Sequence, residues 1–250
     1  MKTTIAVWMA AARQIVWKLI LIAAALAVVE IGLFYRVAGR MAAAVRVNST
    51  VVYGFGAWMD RAWGYEVFVA AFALLTVVLM LQGCDYYGGK LRYTLQRLPL
   101  CESAITLLWA ALHIVCYLIL WAVQLAVVAV CWRIYSQTVY GGTGQLLELF
   151  VECYLDGFLH GLLPLEHIVV WLRQSLWLLC MGTGTAWFGM QQRRGKHAIG
   201  TTFVLLVGLW TFGGDVRTAN DMAGLMAVLF GTMSVYYIGR IWRRAYEKED

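Results

Sequence analysis

Proline is nearly missing from this 250-residue chain, which has two. Proline disrupts helix interiors by removing an amide donor and crowding the preceding turn, so its scarcity permits long helices almost everywhere. Charge is scarce as well. Asp, Glu, Lys and Arg make up 14% of the residues against 62% hydrophobic, where soluble domains carry about 25% charged and 45–50% apolar. That deficit excludes an ordinary soluble domain. The six cysteines are scattered singly with no Cys-x-x-Cys spacing, so they read as small apolar residues within or beside the apolar runs. No G-x-x-x-x-G-K-[ST] sequence is present to cradle a nucleotide. Gly141-Gly-Thr-Gly144 lacks the lysine and reads as a turn, and Gly195-Lys196 belongs to a tight basic loop. The apolar runs hold no His-Glu-x-x-His, no serine–histidine motif and no clustered carboxylates, which makes an intramembrane enzyme the weakest reading. No short apolar core followed by a small-residue cleavage site opens the chain, so the N-terminal segment is expected to be retained.

What the sequence does have is apolar length. A bilayer core of about 30 Å needs roughly 20 apolar residues in a helix. Six segments meet or approach that: Ile15–Tyr35, Glu66–Gly83, Ala104–Trp132, Glu166–Met190, Ala198–Phe212 and Asp221–Ile238. Twelve Trp and thirteen Tyr suit the headgroup zone, where an apolar ring with one polar atom is favoured. The expected architecture is an all-α, polytopic membrane protein over residues 1–250: six spans, no separate soluble domain, an outer loop at 133–165 and a tail at 239–250.

Orientation follows from the basic residues. Lys2, Arg13, Lys18, Lys90, Arg92, Arg97, Arg193, Arg194, Lys196, Arg240, Arg243, Arg244 and Lys248 fall on one side. Arg36, Arg40, Arg46, Arg61, Arg133 and Arg217 fall on the other. The positive-inside bias therefore places both termini in the cytoplasm. It also accounts for the net charge of +6 without nucleic acid, because the basic residues are dispersed among loops that flank apolar runs.

Ile5, Trp8, Met9, Ala12, Ile15 and Val16 recur at spacings of three and four, which predicts an amphipathic interfacial helix over residues 2–14 before the first span. Between the second and third spans lies a more distinctive stretch, residues 85–99. Gly88-Gly89 permits a sharp turn. Leu91, Leu95 and Leu98 then form a narrow apolar stripe, while Lys90, Arg92, Thr94, Gln96 and Arg97 cover the rest of the helical surface. Pro99 ends this helix and suits the first turn of the next. Such an element is able to dock on a cytoplasmic partner and pass force to the spans, or to serve only as a surface connector.

In the outer loop Glu148, Glu152, Asp156 and His160 recur every fourth residue and are expected on one helical face, as an outer gate or as a solvated face of an interfacial helix. Within the spans, buried charge is costly and needs a partner. Glu30, Gln124 and Arg173 fall at similar depths in the outer half, which predicts a Glu30–Arg173 pair with Gln124 beside it, lining a substrate route or locking helices together. His113 is expected to hydrogen-bond to a neighbouring helix, and no metal or haem site is expected from His160 and His167, which straddle Pro164.

With a short interfacial helix, six spans, both termini inside, and Tyr93-Thr-Leu-Gln-Arg-Leu-Pro99 on the cytoplasmic side, the chain resembles permease subunits of type 2 ABC exporters. It departs from larger members in lacking a big extracellular domain. The resemblance implies that residues 2–14 act as the elbow helix. It also implies that Tyr87, Lys90, Leu91, Arg92, Leu95, Arg97, Leu98 and Pro99 form a coupling helix seated in a separate ATPase subunit. It further implies a second permease copy or relative, lipid contacts, a bacterial plasma-membrane location and a hydrophobic or amphipathic cargo. No cofactor is expected on this chain, with ATP and Mg on the partner. A rival expectation is a non-transporting scaffold or sensor that recruits a cytoplasmic partner.

Overall fold

The computed structural model describes residues 2–47, 54–82, 101–141, 146–163, 168–193, 202–204, 206–208 and 216–246. All regular structure among them is helical: α1 (Lys2–Val47), α2 (Phe55–Arg61), α3 (Gly64–Met80), α4 (Glu102–Tyr140), α5 (Leu146–Leu155), α6 (Gly157–Leu162), α7 (Ile168–Arg193) and α8 (Val216–Tyr246). Residues 202–204 and 206–208 are helical as well. The end of the bundle where α1 begins is called the near end below.

A single buried stripe explains α1. Ala11, Ile15, Leu19, Ile22, Leu26, Glu30, Phe34, Ala38 and Met41 are buried at steps of three and four, the spacing that keeps one helical face against a core. Because the stripe begins before Gln14 and no proline interrupts it, the helix runs unbroken from Lys2. The separate interfacial helix expected over 2–14 is therefore not a distinct element. At a 1.5 Å rise, its 46 residues span about 69 Å, well beyond a hydrocarbon core of about 30 Å.

Three helices are long and apolar enough to cross a membrane: α1 within Ala11–Ala43, α4 over Glu102–Tyr140 and α8 within Met222–Arg243. α2 and α3 together make a fourth, bent by 57°. The bend falls at Trp63, whose φ of 59° and ψ of 34° lie in the left-handed region, a sparsely populated place for a bulky residue. The six spans expected from sequence thus reduce, among the described residues, to three helices or four with the bent pair. α7 is less apolar than these for a physical reason: it carries Arg173, Gln174, Thr183 and Thr185 in its buried face, and it packs against α4 and α8. Its other side leaves Ile168, Val169, Trp171 and Leu172 exposed, so the polar residues are turned toward protein, where they are tolerated.

Two further boundaries differ from expectation. α4 continues past Trp132 to Tyr140, so the outer loop begins later than residue 133. It ends at Gly141, whose φ of 62° supplies the left-handed cap. The C-terminal segment from 239 is not a separate tail up to Tyr246, because α8 runs through it. There the Arg240 guanidinium lies 5.4 Å from the Tyr236 ring centroid and Nε donates to the Tyr236 hydroxyl at 3.2 Å.

Candidate functional site

The polar groups buried inside this bundle sort into two layers. In the near layer Gln82, just past the end of α3, donates from Nε2 to the Ala11 carbonyl of α1 at 3.4 Å. That contact orients the amide, since the flipped form would set two carbonyl oxygens against each other. Gln82 Oε1 therefore faces His113 Nε2, 2.7 Å away, and His113 donates from Nε2. The other ring nitrogen, Nδ1, is then the acceptor and meets Thr185 Oγ1 of α7 at 2.8 Å. Four residues along α4, the Tyr117 hydroxyl donates to Thr76 Oγ1 at 3.0 Å and also meets Thr185. Thr76 in turn donates to the Phe72 carbonyl at 2.8 Å. One continuous set of hydrogen bonds thus ties α1, α3, α4 and α7 together. Each member is buried.

Next to this layer three buried rings stack across the bundle. Phe72 stacks on Tyr117 with centroids 4.7 Å apart and planes at 14°, and its other face stacks on Trp177 at 4.7 Å and 20°. The rings come from α3, α4 and α7, so the stack joins the same helices as the polar layer beneath it.

The far layer lies on the other side of the stack. Gln124 stands eleven residues beyond His113 on α4, about 16 Å along the axis. Its Nε2 donates to Glu30 Oε1 of α1 at 2.9 Å. Both residues are fully buried, and Glu30 Oε2 and Gln124 Oε1 have no hydrogen-bond partner among the described residues. The end of α6 completes this layer. A helix C-terminus leaves carbonyls without intrahelical donors; here Trp121 Nε1 donates to the Leu162 carbonyl at 3.1 Å, and Gln174 Nε2 donates to that of Gly161.

Sequence depth put Glu30, Gln124 and Arg173 together, but Gln124 rather than Arg173 meets the carboxylate. Arg173 is 2% exposed and makes no hydrogen bond to Glu30. Depth alone fixes height in a bundle and leaves the azimuth of each helix open, which is why the pairing came out differently. Gln82, Thr76, Tyr117, Gln174 and Thr185 were not anticipated. The available signal for Tyr117 was its i+4 spacing from His113, which puts both on one face of α4.

The acidic stripe is also rearranged. Asp156 does not continue α5; its ψ of 130° breaks the helix, and its Oδ1 accepts from the Leu159 amide at 2.9 Å as the N-cap of α6. Asp-Gly at 156–157 favours this cap over helix continuation. Glu152 turns instead to α2, where its Oε2 accepts from the Gly56 amide at 3.2 Å. A Cβ on Gly56 would lie 2.6 Å from Asp156 Oδ2 and one on Gly54 2.7 Å from Glu152 Oε1, so the two missing side chains let these acids approach α2. The expected common face of Glu148, Glu152, Asp156 and His160 is thereby broken. His160 is buried and packs edge-on against Tyr154, with centroids 6.0 Å apart. The side chain of Glu148 lies outside what is described, as do Tyr87, Lys90, Leu91, Arg92, Leu95, Arg97, Leu98 and Pro99 and the whole expected coupling helix.

Burial holds the Asp156 carboxyl above the usual aspartate range; the Leu159 amide opposes that shift, and nearby Asp60 adds to it. A raised carboxyl favours the protonated native state. Its stabilising effect is fully present below the ordinary aspartate value of about 3.9 and is lost as pH rises through the raised value. Asp156→Asn keeps an oxygen for the Leu159 amide and should remove this dependence, giving a flatter melting-temperature profile against pH. Asp156→Ala loses the cap as well and should be less stable than Asp156→Asn by about 1 kcal/mol at every pH. Thermal unfolding of the two variants across pH 4–8 checks both outcomes.

Set against protein-family models, curated proteins and solved structures, the chain matches none.

Proposed function

We propose that this chain is the permease subunit of an ATP-driven exporter. Its path for a hydrophobic or amphipathic substrate runs through the bundle between the two polar layers. The observation that carries the transport reading is the order of elements inside the bundle: polar layer, stacked rings, polar layer. Buried polar groups in a membrane are expensive and mark substrate or ion routes, and an aromatic stack between two of them is what a closed gate requires. A scaffold that only recruits a partner has no need of either.

The ATP-driven part of the reading comes from the connector. Residues 85–99 begin three residues beyond Gln82, whose side chain touches both α1 and His113 of α4. A partner ATPase that grips Leu91, Leu95, Arg97 and their neighbours would move Gln82 first, and through it the near layer and the ring stack. In this reading the chain has six spans with both termini in the cytoplasm, the fourth being α7 and the fifth the apolar run 198–212, within which 202–204 and 206–208 are helical. It pairs with a second permease copy or relative in a bacterial plasma membrane, and ATP and Mg act on the partner subunit.

The test is purification of the complex from native membranes. The wild-type chain should bring down an ATPase whose activity it regulates. Leu91→Asp or Arg97→Glu should weaken that association by about tenfold or more, with the helical content of the bundle retained. Retention of a partner without nucleotide dependence would make the chain a scaffold.

A further inference from the structure

We infer that Glu30 and Gln124 form a proton-binding site between α1 and α4, in which one proton joins Glu30 Oε2 to Gln124 Oε1. Three side-chain oxygens of the far layer are buried without a hydrogen-bond partner among the described residues: Glu30 Oε2 and Gln124 Oε1, which belong to one contact between α1 and α4, and Gln174 Oε1 of α7. Gln124 Nε2 already donates to Glu30 Oε1. The remaining oxygen of each side chain is buried without a hydrogen-bond partner. Both leftover atoms are acceptors when Glu30 is ionised, so neither can satisfy the other. A single added proton changes this. The Glu30 carboxyl becomes a donor at Oε2, the Gln124 carbonyl accepts, and acid and amide close a ring of two hydrogen bonds. One proton thus removes two buried vacancies and one buried charge, each of which is costly in an apolar surrounding.

The neighbours leave the proton as the ligand that fits. A metal ion takes several oxygen ligands, and among the described residues the side chains of the α1–α4 seam leave just these two open. The other side of Glu30 is Gly64 of α3, where an added Cβ would sit 3.5 Å from Oε1, and Cys131 of α4, which lies within electrostatic reach. Of the charged groups on the helices packed against α1, Arg61 of α2 turns to Met41 Sδ at 3.5 Å. Asp60 of α2 lies within electrostatic reach of Glu66 of α3, and Arg173 of α7 makes no hydrogen bond to either carboxylate oxygen of Glu30. Among the described residues the carboxylate has no cationic partner: Oε1 accepts from Gln124 Nε2 and Oε2 has no hydrogen-bond partner. Loss of the proton leaves an anion and an open carbonyl in the seam, and α1 and α4 must separate enough to admit water. The proton is in this sense a latch on that seam, whatever the chain transports.

Glu30→Gln decides the matter, because the amide copies the neutral acid: its NH2 donates to Gln124 Oε1 and its oxygen accepts from Gln124 Nε2. Infrared spectra of the protein in lipid at pH 7 should show a carboxylic-acid carbonyl band that is lost in Glu30→Gln and shifted in Gln124→Leu. In thermal unfolding, Glu30→Gln should melt within about 2–4 °C of wild type at pH 6. It should hold that temperature at alkaline pH, where wild type falls. Three results overturn the site: no band lost on substitution, parallel pH profiles for wild type and Glu30→Gln, or a Glu30→Gln protein that does not fold.

Discussion

Phe72→Ala is expected to be the most damaging single change, lowering stability by about 3 kcal/mol and leaving the bundle leaky. Phe72 is the middle ring of three, fully buried and stacked on both faces. Truncating it opens a cavity and forfeits two ring contacts at once, for which soluble cores lose about 3–5 kcal/mol. The lower end applies because unfolded helices remain in lipid, so the transfer of apolar surface contributes little and packing contributes most. The same cavity lies between the polar layers, where it removes the barrier between them. Thermal unfolding in detergent measures the first effect, and passive flux of a small polar dye across vesicles holding the protein measures the second. Phe72→Leu, which keeps most of the volume, should restore the melting temperature before it restores tightness.

His113→Leu should cost about 1–3 kcal/mol. That exceeds the roughly 0.6 kcal/mol average for one hydrogen bond between helices in lipid, because both ring nitrogens are engaged. The deficit arises at Gln82, whose Oε1 is left buried without its donor. Thr185 suffers less, since its hydroxyl also reaches the Met181 carbonyl at 2.8 Å. Replacing both partners of a buried hydrogen bond by apolar groups can be nearly neutral. The Gln82→Leu/His113→Leu double variant should accordingly be less damaging than the sum of the single variants, by about 1 kcal/mol. Strict additivity in melting temperature would mean that the two side chains do not act as a unit. If the exporter reading holds, either single variant should also blunt the response of the bundle to nucleotide on the partner, because Gln82 stands at the root of the connector.

Sequence made the helical, membrane-type character of the chain legible, because length without proline and apolar runs of bilayer dimension have few other outcomes. It was a poorer guide to which helices face lipid. α7 turns Arg173, Gln174, Thr183 and Thr185 toward protein while Ile168, Val169, Trp171 and Leu172 stay exposed. Hydropathy averages around the whole helix and loses that distinction. The break at Trp63 was invisible for a different reason: a left-handed tryptophan follows no turn motif. Within the site, Glu30, His113 and Gln124 were recognisable one by one, since each is an expensive residue in an apolar run. Their partners were not. Gln82 looked like the polar end of a span, and Thr76, Tyr117 and Thr185 are ordinary residues in membrane helices, so only the packing of four helices reveals that they meet. The acidic repeat misled because periodicity took Asp156 as a helical residue, whereas its short carboxylate stabilises a helix start more than a helix interior.

The claim that two polar layers are separated by a gate is tested most directly by thiol labelling in vesicles containing the chain and the ATPase proposed as its partner. Two versions are needed: one that keeps Cys131, beside the far layer, as its single cysteine, and one with Thr185→Cys in the near layer as its single cysteine. With a membrane-impermeant reagent, the account predicts that the two positions react from opposite sides and that nucleotide raises one while lowering the other. Labelling of both from the same side, or in parallel regardless of nucleotide, would contradict it.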